Sequence, residues 1–422
     1  MGSDWLALDA AHVWHPYTQH GIVHAFTPIV RGEGAYLVDA GGRRLLDAIS
    51  SWWVTLHGHA QPRIAQAVAE QARTLEQVIF AGFTHEPAAR LAAELAGVLP
   101  EGLTRVFYSD DGSTAVEVAV KMALQYWQMR GEERPLIAAL ENAYHGDTFG
   151  AMSASARSVF TAAFDRKLFE VARLPDPTEG DTIAALDRLL EERGGELAAV
   201  IVEPLLLAAG GMRVWSEDTL RAIRRRTEEA GVLLIADEVA TGFGRTGPLF
   251  ACQRAEVKPD VVCLSKGVTG GFMPLGVTVV REEIFQAFVS QDRRRTFFHG
   301  HSFTGNPLAC AAARASLRLL VDDGCTRRRA EIEAAHRSGL ARLAGHPRVS
   351  RTRVLGTIAA FEMDEAAGYL SPVGRELEAF ARSEGVLLRP LGSTVYLMPP
   401  YCVTPGEVDN VYNVIGRFLE AR

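Results

Sequence analysis

Two short runs constrain this chain more than anything else in it: Val232-Leu-Leu-Ile-Ala-Asp237-Glu238-Val239 and Val261-Val-Cys-Leu-Ser265-Lys266-Gly267. Each is a stretch of aliphatic and β-branched residues that stops at a charged side chain. A strand buried on both faces delivers a reactive group to the rim of a parallel sheet in this way. The pair predicts an α/β fold in which Asp237 and Lys266 arrive at one carboxyl edge. A lysine set among glycine and apolar neighbours loses hydration, so its pKa falls and its amine becomes nucleophilic near neutral pH. A lysine at a strand end is also an ordinary salt-bridge partner, and the rest of the chain has to decide between the two readings.

With 422 residues, 48% of them apolar, the chain can bury a large core and form two or three domains. A net charge of -7 and a pI near 6.0 argue against the basic surface on which nucleic-acid binding rests. The runs Arg224–Arg226, Arg293–Arg295 and Arg327–Arg329 sit among acidic residues and read as solvated faces. Cys252, Cys263, Cys310, Cys325 and Cys402 are odd in number and lack CxxC spacing, so neither a disulfide framework nor a zinc site is expected. A reducing, cytoplasmic compartment follows. Met1–Ala11 carries Asp4 and Asp9 and has neither a basic start nor an apolar core, so no targeting segment is expected. The most apolar stretch, Leu197–Met212, is broken by Glu203-Pro204 and is too short to span a bilayer, which leaves no membrane partner.

In chain order, Trp14-His15-Pro16-Tyr17-Thr18 opens an aromatic, loop-rich segment. A hairpin is expected through Ala35–Asp39 and Arg44–Asp47, turning at Ala40-Gly41-Gly42. Ser50-Ser51-Trp52-Trp53 follows, its paired indoles suited either to a core or to the wall of an apolar substrate channel. His57-Gly58-His59 and His299-Gly300-His301 lack the carboxylates or cysteines that metal binding would require, and no metal is expected. Beyond residue 61, helices and strands alternate. Strand 105–108 leads into Ser109-Asp110-Asp111-Gly112-Ser113-Thr114 and a helix whose Val116, Val120, Ala123 and Trp127 form one apolar face. A strand, a Gly-Ser turn and a helix amino terminus make an anion site as readily as a plain cap. Strands 135–140 and 198–202 end near Tyr144 and at Glu203, so ligand chemistry gathers at the same sheet edge. Toward the C-terminus, helices 306–321, 325–343 and 373–384 and strands 356–362, 386–389 and 395–398 form an α+β pattern.

Six segments resemble, in order and spacing, the class III aminotransferases, which use pyridoxal 5'-phosphate. They are Asp110-Asp-Gly-Ser-Thr-Ala-Val-Glu117, Tyr144-His-Gly-Asp147, Glu203-Pro204 with Gly210-Gly211, Asp237-Glu-Val-Ala-Thr-Gly-Phe-Gly-Arg-Thr-Gly247, Ser265-Lys-Gly267 and Thr304-Gly-Asn-Pro307. Within that family several features are similar to the branch that aminates 8-amino-7-oxononanoate to 7,8-diaminononanoate in biotin biosynthesis. They are residues 14–18, Ser51-Trp52-Trp53, Ala240 where many relatives carry glutamine, and Leu388-Arg389-Pro390 with Tyr396-Leu-Met-Pro-Pro-Tyr401. One departure is His299-Gly300-His301-Ser302 in place of the common His-Gly-Pro-Thr, a form found also in a sister group whose donor is lysine. The branch as a whole implies S-adenosylmethionine as donor. Lysine as donor, or the chemistry of another omega-aminotransferase of the class, stays open.

The resemblance further implies the fold-type-I architecture: a large domain with a mainly parallel sheet, residues 56–305, and a small α+β domain made from residues 1–55 and 306–422. A homodimer completes its sites across the interface. Lys266 is implied to link the cofactor and carry protons, Asp237 to pair with the pyridine nitrogen, and Tyr17 to assist catalysis. Val239, two residues along the strand from Asp237, would pack under the ring, with Tyr144 on the other face. Gly112 and Ser113 would hold the phosphate, and Ser302 would reach the phosphate of the neighbouring subunit. The keto acid and the amino donor would meet Tyr17, Trp52, Trp53, Tyr144 and Gly300, with Arg389 clamping a carboxylate. Asp147 would position Tyr17 or the donor amine, while Glu203 and Arg245 are structural or adjacent to the site. Two other classes use fewer of these parts: a cofactor-free lyase would not need Gly112, Ser113 or Asp237, and a silent binding protein would not need Lys266.

Overall fold

The computed structural model describes residues 4–23, 26–363 and 368–422. Its central sheet has seven strands, in the spatial order Leu103–Ser109, Gly276–Arg281, Val261–Leu264, Leu233–Asp237, Leu197–Val202, Leu136–Leu140, Val171–Leu174. All run parallel except Gly276–Arg281, which is antiparallel to both its neighbours. Every residue of the four strands from Leu136, Leu197, Leu233 and Val261 is buried. Helices cover both faces, so these strands read as unbroken apolar runs rather than as alternation. Residues 265–275 hold only a short 3-10 turn, too little for the crossover that a parallel return needs, and the chain doubles back as Gly276–Arg281.

Below the sheet, the helix Gly112–Met129 buries Val116, Val120, Ala123 and Trp127 against strand residues such as Ile201, Ile235 and Cys263. Its start is set by Asp111, whose carboxylate accepts from Thr114 N at 2.8 Å while Thr114 Oγ1 accepts from Asp111 N at 2.9 Å. Helix Pro307–Leu320, capped by Asn306, packs against Pro62–Ala72 and Glu86–Ala96.

The two chain ends meet in a second sheet. Ile29–Glu33, Tyr36–Asp39 and Arg44–Asp47 form an antiparallel meander, and Val386–Leu387 joins it parallel to Leu46 and Asp47. The expected hairpin turn is held by Gly41 N donating to Asp39 Oδ1 at 2.9 Å. A third sheet, Val349–Leu355, Ile358–Met363 and Thr394–Leu397, lies beside helix Asp323–Leu343, which in turn packs on Pro405–Glu420.

Two strands are shorter than the sequence suggested. Leu233–Asp237 ends at the carboxylate itself, so a turn, and not strand alternation, places Val239. Val386–Leu387 stops before Arg389, because only Leu46 and Asp47 remain to pair with it.

Candidate active site

Lys266 follows strand Val261–Leu264 and opens a 3-10 turn with φ of 38°, a strained value for a residue with a Cβ. Asp237 ends the neighbouring strand, where its register partner is Cys263. Both line a cavity of ≈ 410 Å³ together with Trp53, Gly112, Ser113, Tyr144, Glu203 and Val239. Dense packing around the Lys266 amine lowers its pKa, and the negative charges of Asp237 and Glu203 oppose that shift. The amine lies 4.6 Å from the centre of the Trp53 ring.

Asp237 is held from two sides. Val239 N donates to its Oδ1 at 3.1 Å, and Nδ1 of buried His145 lies 2.7 Å from its Oδ2. Opposite a carboxylate, Nδ1 is the protonated ring nitrogen. Glu203 is equally buried: its Oε1 accepts from Tyr144 N at 2.8 Å and its Oε2 from Ala208 N at 3.0 Å. Burial, with Asp237 adding to it, pushes Glu203 up to about 7. The sequence pointed to neither His145 nor a definite role for Glu203. The one available signal was that each directly follows the aromatic or aliphatic end of a strand or loop already suspected.

The start of helix Gly112–Met129 also lines the cavity. The Asp111 cap takes Thr114 N, leaving the N–H groups of Gly112 and Ser113 free to face an anion at the positive end of the helix. No larger residue fits here: a Cβ on Gly112 would stand 2.8 Å from Val239 Cγ1, and one on Gly146, at φ of 134°, would stand 2.3 Å from Ser113 Oγ. An amine, a buried carboxylate, the side chains of Tyr144 and Val239 and an anion cradle thus share one cavity. That donor set fits a planar aromatic cofactor carrying a phosphate.

The aromatic residues of the N-terminal region lie next to this cavity. Tyr17 OH donates to Asp147 Oδ2 at 2.6 Å and lies 3.4 Å from Tyr144 OH. Burial and the Asp147 carboxylate push Tyr17 up to about 12, so it stays a hydroxyl donor; burial and Tyr17 raise Tyr144 as well. Trp52 is 40% exposed, packs edge-on to Tyr17 at 5.3 Å, and has the Arg389 guanidinium 5.0 Å from its ring centre. Trp53, by contrast, is buried, and its indole N–H donates to Tyr396 OH at 3.0 Å. An outer cleft of ≈ 1090 Å³, which Asp147 also lines, shares Tyr144 and Gly146 with the inner cavity.

Gly300 and Ser302 are exposed and are not among the residues lining the Lys266 cavity of their own chain. The Ser302 carbonyl accepts from Gln77 Nε2 at 2.7 Å. Arg245 is buried and donates to the carbonyls of Pro399 at 2.8 Å and Trp53 at 3.3 Å, tying the large sheet to both chain ends. The histidine pairs are taken up elsewhere: His57 bonds Ser316, His59 lies 2.9 Å from Asp47 Oδ2, and His299 lies 2.9 Å from Lys121 Nζ.

Residues 17–419 match the family model described as aminotransferase class-III. The chain belongs to the class III aminotransferases. This aminotransferase is 52% identical to the adenosylmethionine-8-amino-7-oxononanoate aminotransferase of Synechococcus elongatus, over 97% of this chain and 98% of that protein. Its fold matches the crystal structure of the enzyme of that name from Methanocaldococcus jannaschii with a TM-score of 0.93 and 33% identity, covering 98% of each chain. A PLP-bound amine transaminase from an uncultivated Pseudomonas species matches with a TM-score of 0.92 and 31% identity, over 97% of this chain and 98% of that one.

Proposed function

We propose that this aminotransferase converts 8-amino-7-oxononanoate to 7,8-diaminononanoate in biotin biosynthesis, using pyridoxal 5'-phosphate and taking its amine from S-adenosylmethionine. The observation that carries the reading is the 52% identity, along nearly the whole of both chains, to a relative bearing that activity's name. The site supports it: Lys266, Asp237 and the Gly112-Ser113 cradle suit the cofactor, and Arg389 beside Trp52 suits an acid with an apolar chain.

When bound, the cofactor would supply an electron sink for the pair left as the amine-bearing carbon loses its proton. Gly112 and Ser113 would hold its phosphate, while Tyr144 and Val239 would flank its ring. Asp237, fixed by His145 and Val239, would keep the pyridine nitrogen protonated. Lys266, its pKa lowered by burial, would serve as the base that takes this proton from the substrate carbon and carries it to the cofactor. Tyr17, held as a hydroxyl by Asp147, would orient the substrate amine. Arg389 would clamp the remote carboxylate, with Trp52 and Trp53 along the alkyl chain. Ser302 and Gly300 would serve the neighbouring subunit's site. Five free cysteines suit a cytoplasmic enzyme.

The test is a single-turnover half-reaction with each candidate donor, followed by the visible absorbance of the bound cofactor. S-adenosylmethionine is expected to discharge it and 8-amino-7-oxononanoate to restore it. Lys266→Ala is expected to slow both by about 10²–10⁴ or more. Discharge by lysine alone would overturn the donor, and no response to the keto acid would overturn the acceptor.

A further inference from the structure

The turn that carries Trp52 and Trp53 has an unfavourable backbone. Ser50 at φ 53°, Ser51 at φ 59° and ψ -90°, and Trp53 at φ 69° all lie on the left-handed side of backbone space. None of them is glycine. Such residues persist only where their surroundings over-determine them, and they cluster where a site needs a fixed geometry.

One buried carboxylate lies inside that turn. The Asp47 side chain is 0% exposed; its Oδ1 accepts from Ile49 N at 3.1 Å, and its Oδ2 accepts from Ser51 N at 2.6 Å. His59 Nε2 lies 2.9 Å from the same Oδ2 and fixes the carboxylate from behind. The flanks of the turn are tied separately: Ser50 Oγ donates to the Met398 carbonyl at 2.8 Å, and Arg245 donates to the Trp53 carbonyl. Asp47 is not among the residues lining the Lys266 cavity. It therefore acts on the backbone just ahead of two aromatic rings, one 4.6 Å from the Lys266 amine and the other 5.0 Å from the Arg389 guanidinium.

We propose that Asp47, seated by His59, is a positioning residue for the transamination. It holds Ser51 in its strained conformation and so keeps the Trp52 and Trp53 rings in register with Arg389 and Lys266. The inference rests on the roles given above to those four residues. Neutralising the acid should leave the chemistry intact and loosen the substrate wall. In Asp47→Asn, the amide nitrogen takes the place of one carboxylate oxygen and so opposes the N–H of either Ile49 or Ser51.

The experiment compares wild type, Asp47→Asn, Ser51→Gly and the double variant as cofactor-loaded protein. Asp47→Asn is expected to keep the cofactor and to raise KM for the keto acid about tenfold or more, with kcat within about threefold. Glycine adopts φ near 59° without strain, so Ser51→Gly in the Asp47→Asn background is expected to recover most of that KM. A merely structural defect would not be repaired by added flexibility. An unchanged KM, or a raised KM that glycine does not repair, overturns the proposal. Should Asp47→Asn fail to fold, amide exchange in the cofactor-free wild type decides. There the Ser51 N–H is expected to be protected like those of Leu45 and Leu46, and exchange at the rate of an open loop overturns the proposal. This last reading requires no substrate, so it separates a failure of Asp47 from a failure of the proposed reaction.

Discussion

Glu203 shows how much of this site depends on single buried charges. Its carboxylate fixes the backbone of Tyr144 and Ala208 while burial and Asp237 raise its pKa from an ordinary 4.5 to about 7. An acid whose folded pKa is raised contributes stability that is fully present below about pH 4.5 and is lost as pH rises through about 7. The shift corresponds to something on the order of 3 kcal/mol across that window, with His145 and the two N–H groups opposing it. Glu203→Gln should flatten the dependence of melting temperature on pH between those limits in cofactor-free protein. A calorimetric pH series with the same slope as wild type would refute the assignment. Lys266 and Asp237 were legible as residues because each ends an apolar run. Glu203 sits in the same sequence position, yet one of its two backbone partners, Tyr144, comes from a segment only the fold brings near.

At the scale of elements, the strand ends and the helix start carry the site, and the sequence marks them unequally well. Helix Gly112–Met129 was legible through its apolar face and through Asp111-Gly-Ser-Thr, which both caps the helix and leaves two N–H groups for an anion. The strand before Arg389 was expected to run to 389 but stops at Leu387, so Arg389 lies in the irregular stretch beyond it with its guanidinium 5.0 Å from the Trp52 ring centre. Arg389→Ala should weaken the acceptor half-reaction by about 2–5 kcal/mol, the cost of breaking a desolvated charge pair. Arg389→Lys should restore only part of it, since a point charge lacks the two-pronged geometry. Cofactor absorbance and melting temperature must stay near wild type for the comparison to count. An unchanged acceptor half-reaction in such a variant would place the carboxylate clamp elsewhere.

For the whole molecule, two linked segments present large apolar side chains to solvent. Ile79, Phe83, Phe298 and Phe303 are 63%, 62%, 74% and 62% exposed, and Asn306 and the Ser302 carbonyl bond residues 76 and 77. Gly300 and Ser302 lie on the same stretch, which supports the proposed homodimer with this face as its interface. Sedimentation velocity should show a dimer, and Phe83→Glu combined with Phe303→Glu should yield folded monomer with little activity. A wild-type monomer of full activity would end that reading. What the sequence determined by itself was the set of local elements and the chemistry at their ends, because both depend on residues adjacent in the chain: burial runs, caps and turn glycines. What only the tertiary structure decided was strand direction at Gly276–Arg281, the union of Leu46 with Val386, and the carboxylates that hold backbone from distant segments. Those follow from packing and from satisfying buried polar groups, and neither leaves a periodic trace in the order of residues.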